Sequence, residues 1–168
     1  MANLFKERYD EKWSDAMRDD PSLADGRKIA FVAVVTMASM RVIFFIVETL
    51  FIVVNDLSFS PLSFIVLCVS LLFGKLIHSG GKALAVLALL GGFWSLWQQW
   101  QDGWFIFTLF RYGDPLTIAY GISFIVAVLT TIGPMAYLLI NPQYKKYAAA
   151  ASIIQKELTE EGKAGKFK

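Results

Sequence analysis

Charge is scarce in this chain, and residues that carry chemistry are scarcer. Only 18% of the 168 residues are charged, against about 25% in a soluble domain. The shortage is uneven. Residues 1–28 hold 13 charged groups, whereas residues 29–74 hold only Arg41, Glu48 and Asp56. With 56% hydrophobic residues and a mean hydropathy of +0.52, the pattern is one of polar ends around long apolar runs. That pattern excludes a single soluble core and predicts a polytopic membrane protein.

There is one cysteine, Cys68, inside an apolar run. It excludes an intrachain disulfide and reads as a small apolar packer. The one histidine, His78, stands near Lys75 and Lys82 at the edge of an apolar run and reads as an interfacial residue. Two such ligands are too few for a protein-only transition-metal site, so no metal and no cofactor are expected. A bound lipid fits the apolar composition. P-loop, GxSxG, HExxH, CxxC and paired-carboxylate motifs are all absent. Asp56, Asp102 and Asp114 read as ordinary loop residues. A non-enzymatic protein is therefore expected. The net charge of +2 is too small to imply a nucleic-acid partner, and the bases sit at the edges of apolar runs.

What is present is helical periodicity. The expected fold is all-α, a polytopic membrane protein with four transmembrane helices. Residues 1–28 form a cytoplasmic amphipathic segment, and residues 29–142 a four-helix membrane domain. Its spans lie at about 29–55, 62–77, 82–100 and 115–140. Residues 143–168 are a cytoplasmic helix and tail.

In the first segment Phe5, Tyr9, Trp13 and Met17 recur every four residues on one helical face, and Pro21 ends the helix. That face suits a lipid surface, a partner or the protein's own loops. Asp25-Gly26 is a turn signal. No apolar run falls within the first 28 residues, so the span at 29–55 doubles as the insertion signal. Its 27 residues make roughly 40 Å, longer than the ~30 Å hydrocarbon core, which predicts tilt or protrusion. A short loop is expected around Asn55, Asp56 and residues 58–61.

In the second span Ser63, Ser70 and Gly74 share a face. In the third, Gly81, Ala85, Ala88 and Gly92 make a small-residue stripe that lets another helix come close. Trp94, Trp97, Trp100 and Trp104 lie on roughly the opposite face. With Trp13 they are expected at the membrane interface, where an indole keeps its ring in lipid and its N–H near water. Residues 104–110 are too few to span and are expected along the interface. In the fourth span Pro115 suits a first helical position, Gly133-Pro134 predicts a kink, and Tyr120, Ser123, Ala127, Thr130 and Pro134 share an inward face. The tail carries Tyr147, Ala151, Ile154 and Leu158 on one stripe.

Lysine and arginine positions orient the spans. Six precede the first span, two sit between the second and third, and six follow the fourth. Only Arg111 falls on the other side, and Arg41 lies within the first span. The positive-inside rule then places both termini in the cytoplasm of a multi-pass inner (plasma) membrane protein.

The sharpest constellation is Arg41, Glu48 and Asn55. Seven-residue spacing is close to two helical turns and puts all three on one stripe. An arginine at the bilayer centre costs roughly 2.5–3.5 kcal/mol on insertion scales, so it should face the bundle interior. Such a stripe serves assembly, lines an ion or proton pathway, or holds an anionic lipid. The expected function is a homo-oligomer or a small subunit of a larger membrane complex, its partners being the bilayer and other membrane chains. The alternative is a small ion or proton channel or transporter.

Overall fold

The structure is a computed structural model that describes residues 2–58, 61–101, 111 and 113–164. Among the described residues the chain forms six helices and no strand. They are α1 (Ala2–Asp19), α2 (Ser22–Val54), α3 (Pro61–His78), α4 (Lys82–Gln101), α5 (Pro115–Ile140) and α6 (Pro142–Lys163). The loop expected at 58–61, residues 104–110 with Trp104, Asp102, and the end of the tail fall wholly or partly outside the described residues. So does the Phe5 side chain.

Local chemistry sets the ends of these helices. Asp114 accepts from the backbone N–H groups of Leu116 (2.8 Å) and Thr117 (2.9 Å), and Pro115 occupies the first helical position, where no N–H is needed. Asn141 repeats the device for α6. Its side chain accepts from Gln143 (2.9 Å) and Tyr144 (3.1 Å) ahead of Pro142. Asn141 also ends α5, so one residue turns the chain from the bundle into the tail helix. At the other end of α3, Gly80 takes a positive φ of 91°. Its N–H reaches the Ile77 carbonyl, and the Gly81 N–H reaches that of Leu76, each at 2.9 Å. That pairing is a Schellman end, and only glycine adopts the left-handed position without strain.

The turn expected at Asp25-Gly26 is not there. α2 runs unbroken from Ser22 through Val54, roughly 50 Å at 1.5 Å per residue. Gly26 has a packing role instead. A Cβ there would lie 2.5 Å from the Gln143 carbonyl oxygen and 2.7 Å from the Tyr147 Cβ. The missing side chain is what lets α6 cross α2.

Helix α2 is the centre of the fold. It packs against α5, α3 and α6, while α4 covers the other side of α5 and touches α3. Met37, Val128, Met135, Leu138 and Ile77 are fully buried where these helices meet. At the basic end, α1 and α6 close over the bundle. Trp13 of α1 stacks on Tyr147 of α6, with centroids 5.1 Å apart and planes at 29°. Lys12 Nζ bridges Glu157 (2.6 Å) and Glu161 (3.1 Å). The tail stripe of Tyr147, Ala151, Ile154 and Leu158 is buried in this cap.

Trp13, expected at the membrane interface, lies inside the protein instead. It is 5% exposed and packed in protein, because the apolar face of α1 finds the apolar face of α6.

Two helices, α2 and α5, are long and apolar enough to cross a membrane. Only 17% and 28% of their most apolar windows are buried in the protein, where the core helix of a soluble fold would be mostly covered. A shorter apolar stretch covers Ser63–His78.

Candidate functional site

The polar stripe of α2 does not hold together as one cluster. Arg41 points into the bundle, where one guanidinium nitrogen, Nη2, donates to Thr131 Oγ1 of α5 at 3.3 Å. Its Nε is buried and has no hydrogen-bond partner. Glu48 turns toward α3 and accepts from Ser63 Oγ at 3.0 Å. Asn55 is exposed; as the C-cap of α2 it donates from Nδ2 to the Phe51 carbonyl at 2.8 Å. The expected inward stripe thus divides into an arginine facing α5, a glutamate facing α3 and an asparagine in a helix end. Two turns of helix make about 10 Å, which keeps the first two apart.

Aromatic rings fill the α2–α5 seam beside these groups. Tyr120 stacks on Phe51 with centroids 4.8 Å apart and packs on Phe44 at 5.7 Å, and Phe44 meets Phe124 edge-on.

A cavity of about 250 Å³ adjoins Arg41. Met37 and Thr131 of α2 and α5 form its floor, both buried. Its exposed walls belong to α3 and α4, among them Val66, Val69, Leu87 and Gly91. The mouth therefore opens between α3 and α4. Three hydroxyls line it, and all three donate to carbonyls of their own helices: Ser70 to Val66, Ser95 to Gly91 and Thr131 to Ala127. Their protons are committed, and no hydroxyl carries charge. The cavity presents one cation and no anion.

Spacing along the sequence does not mark Thr131, Ser70 and Ser95 as groups around Arg41. The i, i+4 step from Ala127 to Thr131 was the available signal; the expected inward face carried Thr130 instead.

The small-residue stripe is used inside the chain. Ala85 is fully buried and Ala88 partly so. A Cβ on Gly92 would lie 2.7 Å from Ile132 of α5. Gly81 belongs to the turn before α4. Tryptophans 94, 97 and 100 face outward on α4, 61%, 53% and 57% exposed. With Phe93, Leu90 and Phe124 they line an open apolar groove of about 1220 Å³.

At the basic end, the hydroxyls of Tyr144 and Tyr147 donate to the carbonyls of Ile77 and His78. These are last-turn carbonyls of α3; that of Ile77 already accepts from the Gly80 N–H, and α6 adds a hydroxyl donor to each. Burial pushes both phenols up to about 12. Hydrogen bonds to Glu157 and Glu161 raise the Lys12 ammonium, and hydrogen bonds from Ser22 lower the Asp20 carboxyl. Among the described residues no group of three or more His, Cys, Asp or Glu side chains is placed to hold a metal ion.

Comparison of the chain with protein-family models, curated proteins and solved structures found no match.

Proposed function

We propose that the chain is a four-span integral protein of the inner (plasma) membrane, with both termini cytoplasmic and no catalysis of its own. It works as a homo-oligomer or as a small subunit of a larger membrane complex. Helices α2 and α5 have the length and apolarity of spans. At 1.5 Å per residue, the 18 residues of α3 and the 20 of α4 make roughly 27 and 30 Å, close to the hydrocarbon thickness. The lysines and arginines crowd at the end where α1 and α6 close over the bundle, as positive-inside orientation requires.

The observation that carries the assembly reading is Arg41. Among the described residues its guanidinium has one weak hydroxyl acceptor and no carboxylate, and buried charges are normally paired. The exposed lining of the cavity beside it belongs to α3 and α4. Native mass spectrometry in mild detergent tests the reading. A defined complex of more than one chain is expected; a strictly monomeric protein overturns it.

The channel or transporter alternative is favoured by the three hydroxyls around Arg41. The ring cluster of Phe44, Phe51, Tyr120 and Phe124 opposes it by closing the neighbouring seam. Ion or proton flux through liposomes holding the purified protein alone, altered in Arg41→Gln, would establish it.

A further inference from the structure

The Arg41 cavity also indicates what kind of partner fits. We propose that it seats a transmembrane helix of a different polypeptide, one that carries an aspartate or glutamate at mid-membrane depth. This rests on the assembly reading above and sharpens it.

The charge balance comes first. From residue 29 to the end of α2, and throughout α3, α4 and α5, the only carboxylate is Glu48. Ser63 holds it, and it sits about 10 Å further along α2 than Arg41. The hydroxyls near Arg41 offer lone pairs only. Among the described residues no carboxylate neutralises the guanidinium, whose unused N–H groups suit the two oxygens of a carboxylate.

Geometry comes second. The cavity is floored by α2 and α5 and open between α3 and α4. Gly91 stands exposed at that opening, and a Cβ on it would meet nothing within 4 Å. A helix backbone can approach closely there. Ser70 and Gly91 lie near the middles of α3 and α4, so an arriving carboxylate must sit near the centre of its own span.

A second copy of this chain does not meet that requirement. Copies related by rotation about the membrane normal keep every residue at the same depth. The copy's Glu48 would arrive about 10 Å from the level of Arg41. The matching acid therefore belongs to another sequence.

The test is cross-linking in native membranes. Exposed Cys68 is first replaced by serine, and Val69→Cys then reports from the mouth of the cavity. The expected product is an adduct with a second polypeptide whose sequence has an acid near the centre of an apolar span of about 20 residues. Arg41→Gln should lower its yield about tenfold, and Arg41→Lys less. Arg41→Glu should be rescued by replacing that partner acid with arginine. Gly91→Leu leaves Arg41 in place but fills the opening, and should lower the yield as Arg41→Gln does, even if the latter folds poorly.

An adduct only between copies of this chain would overturn the inference and leave the assembly reading standing. So would a partner with no acid in its span, or a yield indifferent to Arg41→Gln and Gly91→Leu. A monomer by native mass spectrometry, with no adduct, would remove both.

Discussion

The indole of Trp13 lies stacked on the ring of Tyr147, 134 residues along the chain by their numbers, with 5.1 Å between centroids. This contact ties the first helix to the last. Trp13 is buried, and Tyr147 reaches past it to the carbonyl of His78 at the end of α3. Truncating the indole should open the cap. Trp13→Ala is expected to cost about 3–5 kcal/mol, the range for a buried tryptophan. Thermal unfolding in detergent measures the loss, and limited proteolysis should cut residues 2–19 first.

The same cap should respond to high pH. Buried phenols are stable in their neutral form, and those of Tyr144 and Tyr147 sit near 12 instead of 10. Folded values above the unfolded ones mean that this stability is complete below about pH 10 and fades as pH climbs through 12. Lys12 adds in the same direction, its raised ammonium being lost as pH rises. Asp20 and Asp114, both lowered by hydrogen bonds, have the opposite sign. Their contribution is present above about pH 4 and lost in acid. Stability should therefore form a plateau with an alkaline shoulder. Tyrosinate absorbance should show late-titrating phenols in the wild type, and Tyr147→Phe should remove one of them.

Glycines at two positions should respond oppositely to alanine. At Gly26 a Cβ would collide with Gln143 and Tyr147, so Gly26→Ala should cost about 1–3 kcal/mol by overpacking. At Gly91 the space is open, and Gly91→Ala should gain up to about 1 kcal/mol from helix propensity. Denaturant titrations of the two variants side by side give the signs.

Asn141 ends one helix and starts the next, so its loss should act at the junction of bundle and tail. Asn141→Ala removes two accepted backbone bonds and should cost about 1 kcal/mol. Asn141→Asp keeps the acceptor and should cost little. Hydrogen exchange at the amides of Gln143 and Tyr144 reports the difference.

The outward indoles should report the bilayer. Trp94, Trp97 and Trp100 stand exposed on α4, whereas Trp13 is enclosed. In vesicles containing brominated lipids, single-tryptophan variants retaining any of the three should be quenched. The variant retaining Trp13 should not. No quenching at Trp94, Trp97 and Trp100 would place α4 away from lipid, and quenching at Trp13 would mean that the cap does not enclose it.

Helix positions were largely legible in the order of residues, because they depend on neighbours. α5 runs from Pro115 to Ile140, as the Asp114-Pro115 and Asn141-Pro142 pairs announce. Its caps are local hydrogen bonds, and local chemistry survives whatever the chain packs against. The apolar stripe of the tail was legible for the same reason: period 3.6 marks a face that must be covered.

Which surface covers each face was not legible, since it depends on helices far apart in the chain. Asp25-Gly26 carries a turn signal, yet the glycine is a crossing point for α6. Trp13 has the composition of an interface residue, yet α6 encloses it. Arg41, Glu48 and Asn55 share a spacing, but α5 takes the first, α3 the second and solvent the third. Spacing along a helix sets the direction of a side chain. What it meets there is settled by packing, and for Arg41 packing among the described residues supplies a hydroxyl and no carboxylate.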